Sequence, residues 1–284
     1  IRLSLVGSEM CIRDSRLFTA NYGIFPEPHE EPVDQHPRWV EYASRTITVN
    51  LLNQKADKRR EIDICDRPHG LLSEGDRLWV TCEKAGEVLE LNPNIDTVVK
   101  RYPVDKGVHY LLKHPTRPWL FATNRAAGSI TRIHRGSGGT ESLTTGKGAE
   151  SMVLVNEDEL WVANHQAGRL SVIELNDFVW IQDIESDNSS PSEIAMTPDG
   201  DEVWATMLKD RAIHIFSTRN RTFQKRIPLE HVPLNLSFDP ITQNAYVSLP
   251  SRNLVVEVDR FKHQVVNRFE VGSEPDDVMV RLID

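Results

Sequence analysis

Cysteine is scarce in this chain of 284 residues, which holds only Cys11, Cys65 and Cys82. Three thiols exclude a disulfide-rich scaffold. A Cys65–Cys82 bridge fits the sequence, although two small core residues are the simpler reading. No apolar run is long enough for a membrane-spanning helix, which argues against membrane insertion. Basic residues are outnumbered, 33 against 42 acidic, for a net charge of −9. That balance argues against nucleic acid or an anionic membrane as partner. Familiar chemical signatures are missing too. The stretch "GSGGTESLTTGKGA" lacks the G-x-x-x-x-G-K-[ST] spacing of a phosphate loop, and no nucleophile elbow occurs.

What the chain has instead is one short phrase written repeatedly: "LWVTCEKAGEVLEL" from Leu78, "LFATNRAAGSITRI" from Leu120, "LWVANHQAGRLSVIEL" from Leu160, "VWATMLKDRAIHIF" from Val203 and "AYVSLPSRNLVVEV" from Ala245. Its aromatic (Trp79, Phe121, Trp161, Trp204, Tyr246) recurs about every 42 residues, a period that marks propellers and related arrays. Within one period, "ESMVLV", "LWVAN", "RLSVIEL" and "VWIQDI" are strand-like segments separated by short polar or glycine-bearing turns. No helical period competes over a comparable length. Four antiparallel strands with two apolar faces cannot stand alone, but stacked radially each sheet buries its faces on its neighbours. The fold class expected is therefore all-β, a β-propeller of four-stranded antiparallel blades, with the aromatic column as packing between sheets.

Complete repeats begin near Pro68, Val108, Ala149, Pro191 and Pro233. Residues 16–64 hold a further blade without its first strand, and "EPDDVMVRLI" near the C-terminus reads as a first strand without partners. The C-terminal strand is expected to complete the N-terminal blade and close six blades, or seven if the native chain starts further upstream. Residues 1–15 share no pattern with the rest and resemble a translated adaptor, so they are set apart from the single domain at 16–284. The first blade carries an insertion at about 24–44, rich in proline and acid, with His29, Glu30, Glu31, Asp34 and His36. It is a candidate lid over the channel, or else a solvated loop held by Trp39 and Tyr42.

"LWVAN", "LFATN", the glycine-bearing turn and the "SVIEL"-like strand resemble the YVTN-type β-propellers, that is, the surface-layer and cytochrome-d1-like repeat families. The resemblance implies the fold and a periplasmic or secreted location, and leaves function open among binding, electron transfer and enzymatic roles. "GDRLWVT" and "GSITRIH" are also similar to streptogramin-lyase-like propellers, which use a histidine, an acidic residue and a divalent metal on one face. No contiguous stretch here matches their catalytic signature.

The starts of the first strands ring the channel of a propeller, and aligning the repeats gives two columns there. One is His69, His109, Glu150, Ser192, Leu234 and Asp276; the next is Gly70, Tyr110, Ser151, Glu193, Asn235 and Asp277. Ends of the second strands add Asn21, Tyr22, Glu83, Asn124, Arg125, Asn164 and His165. His69, His109 and Glu150 are candidate ligands for a divalent metal, zinc by their nitrogens, calcium or magnesium where oxygens dominate. The alternative is a polar plug of hydrogen-bonded side chains. Asn21, Tyr22, Tyr110, Asn124, Arg125, Asn164, Asn235, Asp276 and Asp277 are candidate ligand contacts. The leading expectation is a monomeric propeller binding a small molecule or protein partner at this mouth. The alternative is a metal-assisted hydrolase or lyase acting on a lactone or cyclic ester, with His165 or Glu193 as acid/base. His114, His134 and His263 read as solvated turn residues, and His214 as half-buried.

Overall fold

The computed structural model describes residues 10–13, 16–20, 46–51, 59–92, 97–187, 189–272, 275–278 and 280. Asn21, Tyr22 and the insertion at about 24–44 lie outside them. The described strands form six antiparallel four-stranded sheets, each a simple meander. In the fourth sheet the strands are Ala149–Leu154, Glu159–Asn164, Arg169–Glu174 and Val179–Glu185. The second sheet spans Pro68–Glu74 to Thr97–Pro103 and the third Val108–Lys113 to Thr140–Thr144. The fifth spans Pro191–Met196 to Thr222–Pro228 and the sixth Leu236–Phe238 to Gln264–Glu270. The inner strands of successive sheets lie against one another, so the sheets are arrayed around a common axis.

Burial follows this arrangement. Every residue of Glu159–Asn164 is buried, because its sheet is covered on both faces, whereas the outermost strand Thr222–Pro228 is almost wholly exposed. The aromatic column packs between sheets: Trp79, Phe121, Trp161, Trp204 and Tyr246 are all buried. Trp204 meets Phe238 of the next sheet edge-on, with ring centroids 5.3 Å apart. Each such side chain contributes roughly 1.5–3 kcal/mol by transfer from water.

A second repeated device sits at the start of each inner strand. The pairing of inner and second strands slips at His69–Gly70, His109–Tyr110, Glu150–Ser151 and Ser192–Glu193, a bulge in four consecutive sheets. Such bulges re-aim side chains out of the ladder. A hydroxyl on the second strand closes most of them. The N–H groups of Gly70, Tyr110, Glu193 and Asn235 donate to Thr81, Thr123, Thr206 and Ser248 at 2.6–3.0 Å. The same four hydroxyls donate onward to the carbonyls of His109, Glu150, Leu234 and Asp276 in the next repeat, at 2.7–3.2 Å. One side chain thus closes its own bulge and fixes its neighbour's. The fourth sheet has Ala163 at this position and uses Ser151 instead, whose Oγ accepts from the Ile194 N–H at 3.1 Å.

Several expectations change. Met10–Arg13, set apart in the sequence reading, pairs with Arg16–Ala20 as the inner strand of the first sheet, the place assigned to the C-terminal segment. Residues 275–278 and 280 instead lie beside the sixth sheet. Val278 N–H donates to Asn235 Oδ1 at 3.3 Å and Val280 N–H to Ser237 Oγ at 3.4 Å. Cys65 and Cys82 are a disulfide, not two core thiols. His114 is fully buried; its Nε2 donates to the Glu157 carbonyl at 2.7 Å and its Nδ1 accepts from the Arg117 N–H at 3.0 Å, joining the third and fourth sheets. His214 is 4% exposed and bonds Asp210 through Nε2 at 2.7 Å.

Candidate functional site at the channel mouth

The bulges bring His69, His109 and Glu150 together from three consecutive sheets. The rings of His69 and His109 stack at 3.7 Å between centroids with a 32° tilt. His109 Nε2 donates to Glu150 Oε1 at 3.2 Å, and Arg125 Nε lies 2.8 Å from Glu150 Oε2. Gly70 is required in this row, because a Cβ there would come within 2.4 Å of the His109 carbonyl oxygen.

Arg125 and His165 occupy equivalent places just after their second strands. Their backbone N–H groups donate to the carbonyls of Gly107 and Gly148, both at 2.7 Å, which pins them beside the inner-strand starts. Their predecessors point the other way, since successive residues of a strand alternate faces. Asn124 and Asn164, expected at the mouth, are fully buried inside their sheets. Asn124 Nδ2 donates to Ser129 and Thr131 at 3.1 and 2.9 Å. Asn164 donates to Ser171 and accepts from Thr145, both at 2.9 Å. Those two candidates are structural pins. Asn235 holds the C-terminal segment through Oδ1, and Tyr110 packs partly against the core of the third and fourth sheets.

The electrostatics of the mouth separate its groups into charged and neutral ones. Burial, then the neighbouring His109 and Arg125, holds the His69 imidazole well below the ordinary histidine range. Burial likewise lowers His165, with Arg125 and Lys209 acting in the same sense and Glu150 against it. For Glu150, burial pushes upward, but the hydrogen bond from His109 and the charges of His109, Arg125 and His165 outweigh it, so it ionises more readily than usual. Glu193 goes the opposite way. Burial and then the charge of Asp277 raise it far above the carboxylate range, against a hydrogen bond from Ser151 Oγ to Glu193 Oε1 at 3.0 Å. Burial and Asp277 push Asp276 up to about 7. One mouth therefore holds two glutamates whose surroundings push them in opposite directions, Glu150 toward ionisation and Glu193 away from it, beside two imidazoles that burial disfavours charging, the kind of separation that acid–base chemistry uses.

The proposed metal ligands do not fit a divalent ion as they stand. Glu150 is already shared between an imidazole and a guanidinium, and a cation placed on it would face the charge of Arg125. Stacked rings do not converge their nitrogens on one point. Among the described residues, no group of three or more His, Cys, Asp or Glu side chains is arranged to hold a metal.

No protein-family model matches the sequence, and no curated protein matches it either. Solved structures do. Virginiamycin B lyase from Staphylococcus aureus superimposes with a TM-score of 0.65 at 17% identity, covering 74% of this chain and 73% of that one. Hydrazine synthase from Kuenenia stuttgartiensis gives 0.74 at 14% identity over 93% and 85%. A Bacteroides uniformis protein named as a "putative 6-phosphogluconolactonase" gives 0.74 at 14% identity over 98% and 90%. The chain is a β-propeller. At these identities the likeness carries the propeller fold and no activity. Among the described residues no helix of this propeller is long and apolar enough to cross a membrane. The hydroxyl row that sets the site was missed in the sequence reading, although its signal stands in the repeated phrase: the fourth letters of "LWVT", "LFAT", "VWAT" and "AYVS".

Proposed function

We propose that the channel mouth binds a neutral, polar small molecule. The observation that carries this reading is the set of bulges in consecutive sheets, which aim His69, His109, Glu150 and Glu193 at one mouth. Bulges recur beside active sites because they turn side chains out of the ladder. Glu150 is offset there by Arg125, burial disfavours charge on His69, and the charge of Asp277 disfavours a second one on Glu193. A neutral ring bearing hydroxyl or carbonyl groups meets both donors and acceptors without bringing an unpaired charge into a half-buried site. The test is a thermal melt against a panel of neutral sugars and sugar lactones. A ligand at about 100 times its dissociation constant stabilises by roughly 2.7 kcal/mol. The shift is expected to vanish in Glu150→Gln and Arg125→Met; a shift that survives both places the ligand elsewhere.

A second reading, ring-opening of a lactone or cyclic ester, is favoured by one specific observation: two carboxyls of the mouth, Glu150 and Glu193, are shifted in opposite directions, the first by His109 and Arg125 and the second by burial and Asp277. In that reading the neutral His165 takes a proton from water as its oxygen adds to the ester carbonyl carbon. Glu193 gives its proton to the ring oxygen as the acyl C–O bond breaks, leaving a hydroxy acid. Structural neighbours named as a virginiamycin B lyase and a "putative 6-phosphogluconolactonase" raise the interest of the assay without deciding it. Opening of glucono-δ-lactone followed by NMR, with Glu193→Gln and His165→Ala as controls, separates binding alone from catalysis.

A further inference from the structure

A second concave site lies away from the channel, between the fifth and sixth sheets. A cavity of about 360 Å³ opens there, at the lower end of the range for small-ligand pockets. Its apolar floor is Ile227, Leu229, Leu249, Leu254, Val256 and Val265. These residues belong to the core joining the two sheets, so the floor is the uncovered edge of that core.

Two arginines stand beside this cavity. Arg252 Nε donates to Nδ1 of the lining His231 at 3.4 Å, and the lining Arg268 pairs with Glu230 at 3.1 Å. Arg268 pairs in register with Val256 of the floor, so its guanidinium stands at the apolar surface. Lys225 marks the other end, 2.9 Å from Nδ1 of His263. Among the described residues Glu230 is the one carboxylate in the lining, and its ion pair with Arg268 is highly exposed, hence weak and readily exchanged. Two guanidiniums thus stand beside the apolar floor, one exchanging with the exposed Glu230, while Glu270, in register with Leu254, is the nearest further carboxylate.

We propose that this groove binds a small amphipathic carboxylate. Its alkyl body lies on the floor and its carboxylate replaces Glu230 on Arg268, with Arg252 beside it. Guanidinium is suited to this because its planar fork accepts a carboxylate in two parallel hydrogen bonds. The site shares no residue with the channel mouth.

The experiment is a calorimetric titration with sodium octanoate, compared with octanol. Saturable binding of one octanoate per chain is expected, weaker for octanol by about tenfold, as loss of one charge-assisted hydrogen bond implies. Arg268→Glu and Arg252→Glu, both changes at the protein surface, are expected to bring octanoate down to the level of octanol. Lys225→Glu is expected to change it less than about threefold, its charge being screened at the far end. Leu254→Trp, which fills the floor, abolishes binding of both probes while melting as the parent does. Absence of saturable octanoate binding, equal affinity for octanol, insensitivity to both arginine changes, or a larger loss in Lys225→Glu than in Arg268→Glu would each overturn the proposal.

Discussion

Thr145 Oγ1 donates to Oδ1 of Asn164 at 2.9 Å, fastening the linker before the fourth sheet to the end of that sheet's second strand. In the second sheet the same fastening is covalent. Cys65 lies in the linker and Cys82 ends the second strand, at the repeat position that Asn124 and Asn164 hold in the next two sheets. The linker is where one sheet hands the chain to the next, so this contact sets how a sheet is seated on the ring.

Removing the fastening should therefore cost stability in proportion to its kind. A bridge closing a loop across a sequence separation of 17 residues stabilises by about 3 kcal/mol through the unfolded chain. Cys65→Ser with Cys82→Ser should lower the unfolding free energy by about 2–4 kcal/mol in urea titrations under oxidising conditions. Asn164→Ala, which leaves the buried Thr145 and Ser171 hydroxyls without their amide, should cost about 1–3 kcal/mol. A loss under about 0.5 kcal/mol in either would mean that the linker is seated by packing alone.

Metal addition should leave the melt unchanged. With Glu150 held by His109 and Arg125, Zn²⁺, Ca²⁺ or Mg²⁺ would have to displace a guanidinium to bind. Melts in EDTA and after return of each ion are expected to coincide. A stabilisation by any ion that disappears in His109→Ala would show that the stack rearranges into a ligand set.

How much of this was legible follows from what a period can carry. The aromatic column and the residues of the mouth repeat at one position per sheet, so alignment finds them; His69, His109, Glu150 and Glu193 all fall on the bulges. Asn124 and Asn164 were misplaced because a six-residue strand does not announce the residue at which its chain leaves the ladder. One step of alternation separates the buried Asn164 from His165 at the mouth. The disulfide joins a linker to a strand end, two places that do not correspond within the repeat, so periodicity is silent about it. His114 looked solvated because a turn residue gives no sign of the neighbouring sheet's Glu157 carbonyl.

The pH dependence of stability has a definite sign at Asp276. Its folded pKa of about 7 stands above the ordinary 3.8. Between those values the folded chain holds a proton that the unfolded chain has released, so stability falls as pH rises through the window and levels off above it. Asp276→Asn should remove that fall. The variant should gain on the parent from about pH 4 to about pH 7, by a total on the order of 2–4 kcal/mol, and keep a constant advantage at higher pH. His69 slopes the other way in the parent, because its lowered pKa makes acidification below the ordinary 6.5 destabilising. The comparison of variant with parent cancels that contribution. An advantage that does not grow with pH would place the Asp276 carboxyl in water.

Thr123→Val joins the fold to the site most directly. The Thr123 hydroxyl accepts from the Tyr110 N–H at 3.0 Å and donates to the Glu150 carbonyl at 2.7 Å. Valine keeps the shape and removes both bonds, leaving a buried N–H and C=O unpaired at a cost of about 1–3 kcal/mol. Thr206→Val should cost a similar amount, since its hydroxyl serves the Glu193 N–H and the Leu234 carbonyl in the same way. Only the first change loosens the backbone that carries Glu150 toward His109 and Arg125. A carbon-13 NMR titration of the glutamate carboxyls should therefore show the Glu150 pKa rising in Thr123→Val and unmoved in Thr206→Val. Equal behaviour of Glu150 in the two variants would mean that the bulge positions itself, and that the hydroxyl row serves stability alone.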